Sequence, residues 1–491
     1  MVTNPVKKMN FVINLFEGVY SINRPYAFRK LVKPNGKVNV FLKYWLNLNL
    51  MRAVRTYAIS SVVDARRKVL HWIQKFERFC VLESNTLNNS KAGRDKYGGL
   101  DCIVAIGAHS ELAGIGHSDF ERLQSYVDET NDWVFGYLTY DLKNQLENLK
   151  SDNTDYLKFP TLHFFQPEII VEVGNEVLKI RYLEATNSAA SIDKVFKEIL
   201  ASEVKEEKPH NIEVAPRISK DDYLRSVNKL KQHISYGDIY EVNFCQEFYA
   251  DSVQVAPLPI YERLNDISRA PFASFYRHGP QYLVSASPER FMKKTGNMLI
   301  SQPIKGTRRR GATAKLDSTY KAQLAQSEKE RSENVMIVDI VRNDLAKSAI
   351  RGSVEVSDLF GIYTFEQVHQ MISTVTCECR DDIHPIEAIK AAFPMGSMTG
   401  APKIRAMELI EQYESVKRGL FSGAVGYVTP EGDFDFNVVI RSIIYNAEEA
   451  HLSFMVGGAI TDKADAESEY EECMVKARAM LDVLKTNEVR C

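Results

Sequence analysis

Several features that would narrow the class of this protein are scarce in its 491 residues. The 62 basic and 64 acidic residues nearly balance, so a net charge of −2 offers no positive field to attract nucleic acid. The seven cysteines are scattered without a CxxC pair, which disfavours a zinc motif and fits a reducing compartment. No apolar run approaches the roughly 18–20 residues of a membrane span, and no signal-peptide pattern is visible. We therefore expect a soluble, cytoplasmic protein that binds neither nucleic acid nor membrane.

The composition changes along the chain predict two domains behind an N-terminal extension. Residues 1–50 are rich in asparagine and aromatic residues without a clean period, so we expect an extension of doubtful order, with the natural start at Met51. Residues 51–203 form the predicted N-terminal domain, in which strand-like and helical runs mix. The charged, proline-containing segment 204–218 is a predicted linker, and 219–491 the predicted catalytic domain. Predicted strands of the N-terminal domain are Leu100–Ile106, Trp133–Tyr140, Thr161–Val173 and Glu176–Tyr182.

A lysine and a glutamate each follow an apolar run in the second domain. Lys305 follows the predicted strand Met298–Ile304, and Gly306 then permits a tight turn. Glu289 ends another apolar run in a similar turn. Such a pair can supply a nucleophile and a general acid. Each residue alone is also consistent with a solvated loop charge.

Two predicted helices carry paired glutamates. The apolar stripe of a predicted helix over Tyr320–Lys347 places Glu330 and Glu333 on its inward side. Like charges three residues apart repel one another by roughly 0.2–0.5 kcal/mol even when exposed, so a cation should lie between them. The stripe of that helix consists of Ile337, Ile340, Val341 and Leu345.

The last predicted helix, Ala466–Lys485, repeats this spacing with Glu469 and Glu472. Carboxylates without thiol or imidazole partners suit a hard ion such as Mg²⁺, with water and substrate completing its coordination. A plain salt bridge between Glu472 and Lys476 is the alternative. The two helices together predict a magnesium site.

An arginine interrupts an apolar strand face near the C-terminus. In the predicted strand Asn437–Tyr445, Arg441 alternates with apolar residues and so requires an anion, either a bound carboxylate or a buried glutamate. Gly457 and Gly458 offer bare backbone N–H groups to a second carboxylate. His369 could donate to a substrate oxygen or be a satisfied core histidine.

These residues lie in motifs that resemble the chorismate-utilising family, which includes anthranilate, aminodeoxychorismate, isochorismate and salicylate synthases. The resemblance spans almost all of 216–491, and fainter matches precede it at LES (82–84) and FGYLTYDL (135–142). It implies an α+β fold in which a large, mostly antiparallel sheet system is flanked by helices, with the site in a cleft roofed by the two glutamate helices. The motifs are GDIYEVN (237–243), SPE (287–289), PIKGTR (303–308), KERSEN (329–334), IVDIVRNDL (337–345), PMGSMTGAPK (394–403) and EYEE (469–472).

Position 305 discriminates within the family. Members that make anthranilate typically carry alanine there, whereas members that make 4-amino-4-deoxychorismate carry lysine. The resemblance implies that Lys305 attacks ring carbon 2 of chorismate while Glu289 protonates the departing hydroxyl on carbon 4. Ammonia then adds at carbon 4 and expels the lysine. For this attack Lys305 must be partly neutral, and we expect Mg²⁺ and nearby arginines to lower its pKa.

The remaining roles follow from the same resemblance. Glu333 and Glu472 are implied as direct Mg²⁺ ligands, with Glu330 and Glu469 nearby or water-mediated. The remaining implied substrate-binding residues are Arg441 (the enolpyruvyl carboxylate), Gly457, Gly458, His369, Thr399, Thr307 and Lys476.

Three positions depart from the family pattern. Phe421 stands where several members have tyrosine, and Ala459 where many have glycine. Glu241 replaces the glutamine of most amine-installing members and the lysine of the water-activating ones, which argues against isochorismate or salicylate synthesis. No cysteine lies in a glycine-rich nucleophile elbow, so we expect ammonia to come from a separate glutamine amidotransferase. Anthranilate synthesis and a non-catalytic chorismate-binding subunit remain the alternatives.

Overall fold

The computed structural model describes residues 52–85, 101–205, 211–365 and 368–485. All of them belong to one compact unit, and the predicted extension 1–50 lies outside the described residues. None of the helices within these ranges combines the length and the hydrophobicity that a membrane span needs.

Twenty strands run through the described residues. They are β1 (Arg52–Ala58), β2 (Arg78–Glu83), β3 (Cys102–Ala113), β4 (Val134–Leu138), β5 (Leu162–Gly174), β6 (Val177–Leu183), β7 (Ala215–Pro216), β8 (Glu241–Ala250), β9 (Phe272–His278), β10 (Gln281–Ser287), β11 (Arg290–Thr295), β12 (Met298–Gln302), β13 (Ile304–Arg309), β14 (Glu355–Thr364), β15 (Val368–Glu378), β16 (Gly400–Ala401), β17 (Ala424–Val428), β18 (Phe434–Val438), β19 (Ser442–Asn446) and β20 (His451–Thr461).

Eleven α-helices flank these strands in the described ranges. They are α1 (Val62–Trp72), α2 (Asp119–Thr130), α3 (Lys143–Leu146), α4 (Ala189–Ala201), α5 (Lys220–Tyr236), α6 (Pro257–Ser268), α7 (Ala314–Gln326), α8 (Glu328–Ala346), α9 (Pro385–Ala392), α10 (Lys403–Tyr413) and α11 (Ala466–Leu484). The predicted α+β class is confirmed.

The strands form one hydrogen-bonded network with two branches, and the pairings between these strands are antiparallel. The first branch runs β8–β20–β19–β10–β9–β2–β3–β5. The second runs β5–β4–β17–β18–β11–β12–β15, with β13 and β14 also bonded to β15. Each branch thus contains strands from both predicted domains, joined by the pairing of β2 with β9 in the first branch and of β4 with β17 in the second. The boundary at 204–218 stays a prediction.

Two apolar cores follow from the alternation of side chains along the first branch. One core fills the space between the branches, where Ile103, Leu283 and Ile444 of the first branch meet Phe436 and Val375 of the second. The neighbouring residues on the same strands point the other way, into a core covered by helices. Examples in that second core are Val104, Val284 and Ile443, packed with Leu230 of α5 and Met480 of α11.

The chain crosses between the branches at two adjacent places. Glu289 lies where β10 of the first branch leads to β11 of the second, and Arg441 where β18 returns to β19. The Val438 N–H donates to the Glu289 carbonyl at 3.0 Å, and the Ala286 N–H donates to the Arg441 carbonyl at 3.1 Å. The two crossings therefore bring a predicted acid and a predicted anion clamp to the same end of the sheet system.

Two predicted elements were wrong in extent. The single helix over Tyr320–Lys347 is two helices, α7 and α8, because Ser327 is non-helical and its hydroxyl caps α8 by accepting from the Glu330 N–H. The single strand Asn437–Tyr445 is interrupted between β18 and β19, where Arg441 takes a left-handed φ of +53°. The four strands predicted in the N-terminal domain correspond to β3, β4, β5 and β6, with ends differing by up to seven residues.

A buried ion pair fixes the segment that follows α10 against β8. Arg418 and Glu414 have side chains only 1% and 2% exposed, and Arg418 also donates to the carbonyls of Asn243 and Met398 at 2.8 and 2.6 Å. The Glu414 carboxylate also accepts a hydrogen bond from the Cys245 N–H at 2.9 Å. Each polar group of the pair is satisfied, so losing one partner leaves the other buried and unpaired.

Replacing Arg418 tests this pair. We expect R418M to lower the free energy of unfolding by about 3–5 kcal/mol, because Glu414 would keep a buried, unpaired charge. The control is R405M, which breaks the exposed pair of Arg405 with Glu408 and should cost less than about 1 kcal/mol. Urea denaturation of both variants measures the difference, and equal losses would contradict the assignment.

Candidate active site

A β-bulge directs Lys305 into the site. Ile304 pairs with Ile372 and Thr307 with Gln370, so β13 carries one extra residue against β15 at Lys305-Gly306. Gly306 has a φ of +93°, and a Cβ there would lie 3.0 Å from Oε2 of Glu330. The prediction that Lys305 ends a strand before a tight turn was wrong. The ladder pauses earlier, at Pro303, which has no N–H to donate.

The Lys305 ammonium meets a carboxylate from the other branch. Its Nζ lies 2.9 Å from Oε1 of Glu241, the first residue of β8, and the two side chains are 11% and 1% exposed. Burial alone would lower the pKa of Lys305, but the carboxylates of Glu241, Glu333 and Glu289 outweigh it and raise that pKa. The expected lowering of this pKa is therefore wrong for the ligand-free protein, because carboxylates rather than arginines surround the amine.

Glu289 has the properties of a proton donor. It is 5% exposed, and burial raises its pKa to about 7, against the opposing charge of Lys305. The ordinary value for a glutamate is 4.5. A large fraction of this carboxyl group is therefore protonated near neutral pH, as general acid catalysis requires.

The four predicted metal glutamates lie on α8 and α11 as expected. Burial raises the pKa of Glu333 to about 7 and also raises the pKa of Glu330 and of Glu469, both with a further contribution from Glu472. Glu469 is 3% exposed. These carboxyl groups are partly withdrawn from water and face one another's charge, so a cation among them would be stabilised.

Two lysines supply positive charge to this group. Lys329, on α8, places its Nζ 3.2 Å from Glu469 and 3.9 Å from Glu333, and so links the two helices. Lys476 lies 2.8 Å from Glu472, whose side chain is 49% exposed, as in the simple salt bridge considered from the sequence. Lys329 was not predicted, although its spacing of four residues from Glu333 was visible in the sequence.

The four glutamates do not form a closely packed ligand set. Among the described residues, the group whose potential ligand atoms all lie within 4.8 Å of one another is Glu111, His163 and His278. That group is already occupied by protein partners, since His163 contacts the Tyr276 hydroxyl and Arg78 binds Glu111 at 2.7 Å. The all-oxygen donor set on α8 and α11 fits a hard divalent ion in its chemistry, with few protein ligands.

Arg441 is placed as an anion clamp would be. Its guanidinium makes no hydrogen bond or ion pair with any side chain in the described part of the chain, while burial lowers its pKa and the charge of Glu472 opposes that effect. The predicted alternative, a buried pair with a glutamate, is thus not formed by direct contact. An incoming carboxylate would supply the missing partner.

The glycine pair lies on β20 beside α11. A Cβ at Gly457 would come within 2.1 Å of the Phe244 carbonyl on β8, so this glycine is required for strand packing. A Cβ at Gly458 would lie 3.1 Å from Oε2 of Glu469. The Gly457 carbonyl accepts from Lys476 at 2.9 Å. The two glycines, Lys476 and Glu469 are therefore brought together.

Of three further predicted substrate-binding residues, two have other contacts in the ligand-free protein and one is exposed. Thr399 is fully buried, and its hydroxyl donates to the carbonyls of Met395 and Gly396. Thr307 is exposed beyond the bulge. Both ring nitrogens of His369 are engaged, one by Thr364 and one by Asp317, each at 3.0 Å. Their roles in binding substrate stay predictions.

Comparison with known proteins places these residues in a family context. The model of a family described as chorismate binding enzymes matches residues 78–482. Aminodeoxychorismate synthase component 1 of Bacillus subtilis is 30% identical over 451 residues, which cover 85% of this chain and 95% of that protein. Anthranilate synthase component 1 of Acetivibrio thermocellus is 32% identical over 394 residues, covering 73% and 76%.

Other relatives are much longer than this chain. The aminodeoxychorismate synthase of Streptomyces griseus is 44% identical over 272 residues, but these cover 55% of this chain and 37% of that protein. A solved anthranilate synthase component I from Streptococcus pneumoniae superposes with a TM-score of 0.68 at 22% identity, over 94% of this chain and 98% of that one. The solved structure establishes the likeness of fold.

The raised pKa of the buried Glu289 leads to a prediction for the stability of the protein. Because burial disfavours ionised Glu289, the contribution of this residue to the stability of the wild type falls as pH rises from about 4.5 to 7 and then stays level. The loss amounts to about 3 kcal/mol by the linkage between pKa and stability. We therefore expect E289Q to match the wild type near pH 4.5 and to be more stable by up to about 3 kcal/mol above pH 7. Urea denaturation at both pH values measures this, with E471Q on the exposed side of α11 as the control. A difference independent of pH would contradict the prediction.

Proposed function

We infer that this chain, which belongs to the family of chorismate binding enzymes, is component I of an aminodeoxychorismate synthase. Such an enzyme converts chorismate and ammonia to 4-amino-4-deoxychorismate, the precursor of 4-aminobenzoate and folate, as a transaminase-type transferase. The observation that carries the proposal is Lys305, a buried amine at a bulge that faces Glu241 and the acid Glu289. A lysine held in this way is positioned to act as a nucleophile and is not an ordinary surface charge.

In the proposed reaction, Lys305 and Glu289 act on opposite ends of one displacement across the conjugated diene of the ring. The free amine of Lys305 attacks ring carbon 2, and both ring double bonds shift. The hydroxyl on carbon 4 leaves as water with the proton of Glu289, whose pKa of about 7 supports this role. Ammonia then adds at carbon 4 and the lysine leaves from carbon 2, with the enolpyruvyl group retained.

The substrate carboxylates have separate proposed partners. Arg441 binds the enolpyruvyl carboxylate through its unpaired guanidinium, and the N–H groups of Gly457 and Gly458 add neutral donors. Lys476, beside Gly457, balances charge at the rim. The further proposed contacts to the ring are Thr399, Thr307 and His369.

Mg²⁺ is the proposed cofactor. Glu333 and Glu472 would bind it directly, with Glu330 and Glu469 behind them. The raised pKa values of Glu330, Glu333 and Glu469 support this proposal, because a cation bound among these carboxylates would stabilise their ionised forms. Bound there, the ion would hold the ring carboxylate and offset its charge. Lys329, which links Glu469 and Glu333, would have to give way or share these oxygens.

The proposed nitrogen source is a glutamine amidotransferase subunit in the cytoplasm. The component 1 name of the Bacillus subtilis relative supports a partner of this kind. Anthranilate synthase is the alternative activity, favoured by the Acetivibrio thermocellus relative. That reaction releases pyruvate, whereas the proposed one does not. Incubation with chorismate, Mg²⁺ and an ammonium salt, followed by product mass and a pyruvate assay, separates the two.

The nucleophile can be tested directly. We expect K305A to slow formation of 4-amino-4-deoxychorismate from ammonia by at least about 100-fold, because alanine removes the proposed nucleophile. The matched control is K321A, an exposed lysine on α7, which should leave the rate unchanged. Product is measured by mass. Full turnover by K305A would exclude the covalent role.

The cofactor can be tested by removing it. We expect EDTA to abolish activity and added Mg²⁺ to restore it, since the four carboxylates would otherwise repel the substrate carboxylate. E333Q, which removes a proposed ligand, should raise the Mg²⁺ concentration needed for half-maximal activity. Activity that persists in EDTA would rule out the metal.

A further inference from the structure

A small cavity, which we call the Glu289 cavity, lies beside the proposed acid. Its volume is about 20 Å³, which is room for a molecule of the size of water. It is lined by α8, by strands β11 and β12, and by the segment that follows α9. The Glu289 carboxyl group also interacts with the charge of Lys305. Glu289 therefore belongs both to this cavity and to the site around the proposed nucleophile.

Most of the wall of the Glu289 cavity is apolar. Six of its apolar side chains are Phe291, Met292, Val341, Leu345, Ala392 and Met395. Such surroundings favour a neutral molecule over an ion, because taking a charge out of water costs far more. Neutral ammonia, which is about as large as water, therefore enters this cavity more easily than ammonium does.

Ser397 offers the Glu289 cavity a hydroxyl group. The residue is 8% exposed, and its hydroxyl forms no hydrogen bond of ordinary geometry in the described part of the chain. It nevertheless lies near enough to the Glu289 carboxyl group to oppose the rise in the pKa of that acid. The other polar side chains of the cavity are engaged within the protein, in the contacts of Arg290 with Asp435 at 2.9 Å, of Ser301 with the Phe291 carbonyl at 2.7 Å and of Asp344 with Lys403 at 2.6 Å. Ser397 and Glu289 thus remain as partners for a bound molecule.

We propose that the Glu289 cavity is the site that holds ammonia before it adds to carbon 4, with Ser397 and Glu289 as its polar contacts. This inference rests on the proposed function, in which ammonia is the second substrate and Glu289 the acid. Carbon 4 carries the hydroxyl that Glu289 protonates, so a molecule bound against Glu289 is beside the carbon that it must attack. A water molecule would have two polar partners in this cavity instead of the usual three, and ammonia displaces it at little cost.

The atoms and protons of the step balance. Glu289 gives its proton to the hydroxyl that leaves carbon 4, water is formed, and the Glu289 carboxylate accepts an N–H of the ammonia. The lone pair of the ammonia forms the bond to carbon 4, the ring double bonds shift back, and the bond from carbon 2 to Lys305 breaks with its electron pair on the amine. The new ammonium at carbon 4 then returns a proton to Glu289. One ammonia is consumed and one water released.

Removing the Ser397 hydroxyl tests its contact with ammonia. We expect S397A to raise KM for ammonia about tenfold, the usual effect of one lost hydrogen bond, with KM for chorismate within about twofold of the wild type. The control is S274A, because the Ser274 hydroxyl on β9 is also buried without a partner in the described residues but lies outside the cavity. S274A should leave KM for ammonia unchanged.

A second measurement separates the binding of ammonia from the action of the acid. Enzyme, chorismate and Mg²⁺ are mixed without ammonia and quenched, and the Lys305 peptide is weighed for the ring adduct. We expect S397A and the wild type to form this adduct at the same rate, because ammonia takes part only in the following step. Slower adduct formation by S397A would mean that Ser397 acts on the proton of Glu289, and would overturn its contact with ammonia.

The size of the cavity can be tested with methylamine. Ala392, the last residue of α9, lines the cavity. We expect A392G to raise kcat/KM for methylamine relative to ammonia at least tenfold, with the methylamino product identified by mass, because the missing methyl group makes room for the extra carbon. A392V should instead raise KM for ammonia. The controls are A388G and A388V, at a buried alanine of the same helix that does not line the cavity, and they should leave both quantities unchanged.

The outcomes distinguish the two proposals. If the wild type forms neither the adduct nor 4-amino-4-deoxychorismate, the proposed function fails. If the wild type is active while S397A keeps the wild-type KM for ammonia, or A392G keeps the wild-type preference between the two amines, the cavity is not the ammonia site. A gain of activity with methylamine in A392G cannot result from a folding defect, and it would support the proposal.

Discussion

The contact between Lys305 and Glu241 ties the chemistry of the site to the architecture of the sheet. The two residues come from different branches, β13 and β8, and meet with almost no exposure to water. Neither charge would be tolerated there alone, because an unpaired buried ion costs several kcal/mol. The bulge at Gly306 and the position of Glu241 at the first residue of β8 are what bring the pair together. The site therefore exists only when both branches are folded.

The surrounding carboxylates give the site its chemical character. Burial raises the pKa of Glu289 and of Glu333 to about 7, and the charge of Lys305 does not cancel that effect. A fold selected for stability alone would replace such groups by apolar residues of similar size. Carboxyl groups with perturbed pKa values, gathered around a buried amine, are instead characteristic of a site that moves protons or binds a cation. The same feature supports both the proposed acid and the proposed metal.

The sequence located the chemically important residues better than it located their backbone. Motif spacing identified Lys305, Glu289, Arg441 and the four glutamates, because the resemblance covered these positions. It missed the break before α8, although Ser327 followed by Glu330 is a recognisable capping pattern. The bulge at Gly306 and the left-handed Arg441 depend on partners distant in sequence, and local periodicity carries no information about them. The two branches are likewise set by pairings between strands far apart in the chain.

The proposed acid and the proposed anion clamp share a scaffold that the two glutamate helices do not. Backbone hydrogen bonds join the crossing at Glu289 to the crossing at Arg441, one from Val438 and one from Ala286. The glutamates of α8 and α11 are linked instead through a flexible side chain, that of Lys329. The relative positions of proton donor and clamp are thus fixed by strands, while those of the glutamates depend on how α8 packs on β15 and α11 on β20. Because β15 and β20 belong to different branches, a cation bound by glutamates of both helices would draw its ligands from both branches of the sheet system.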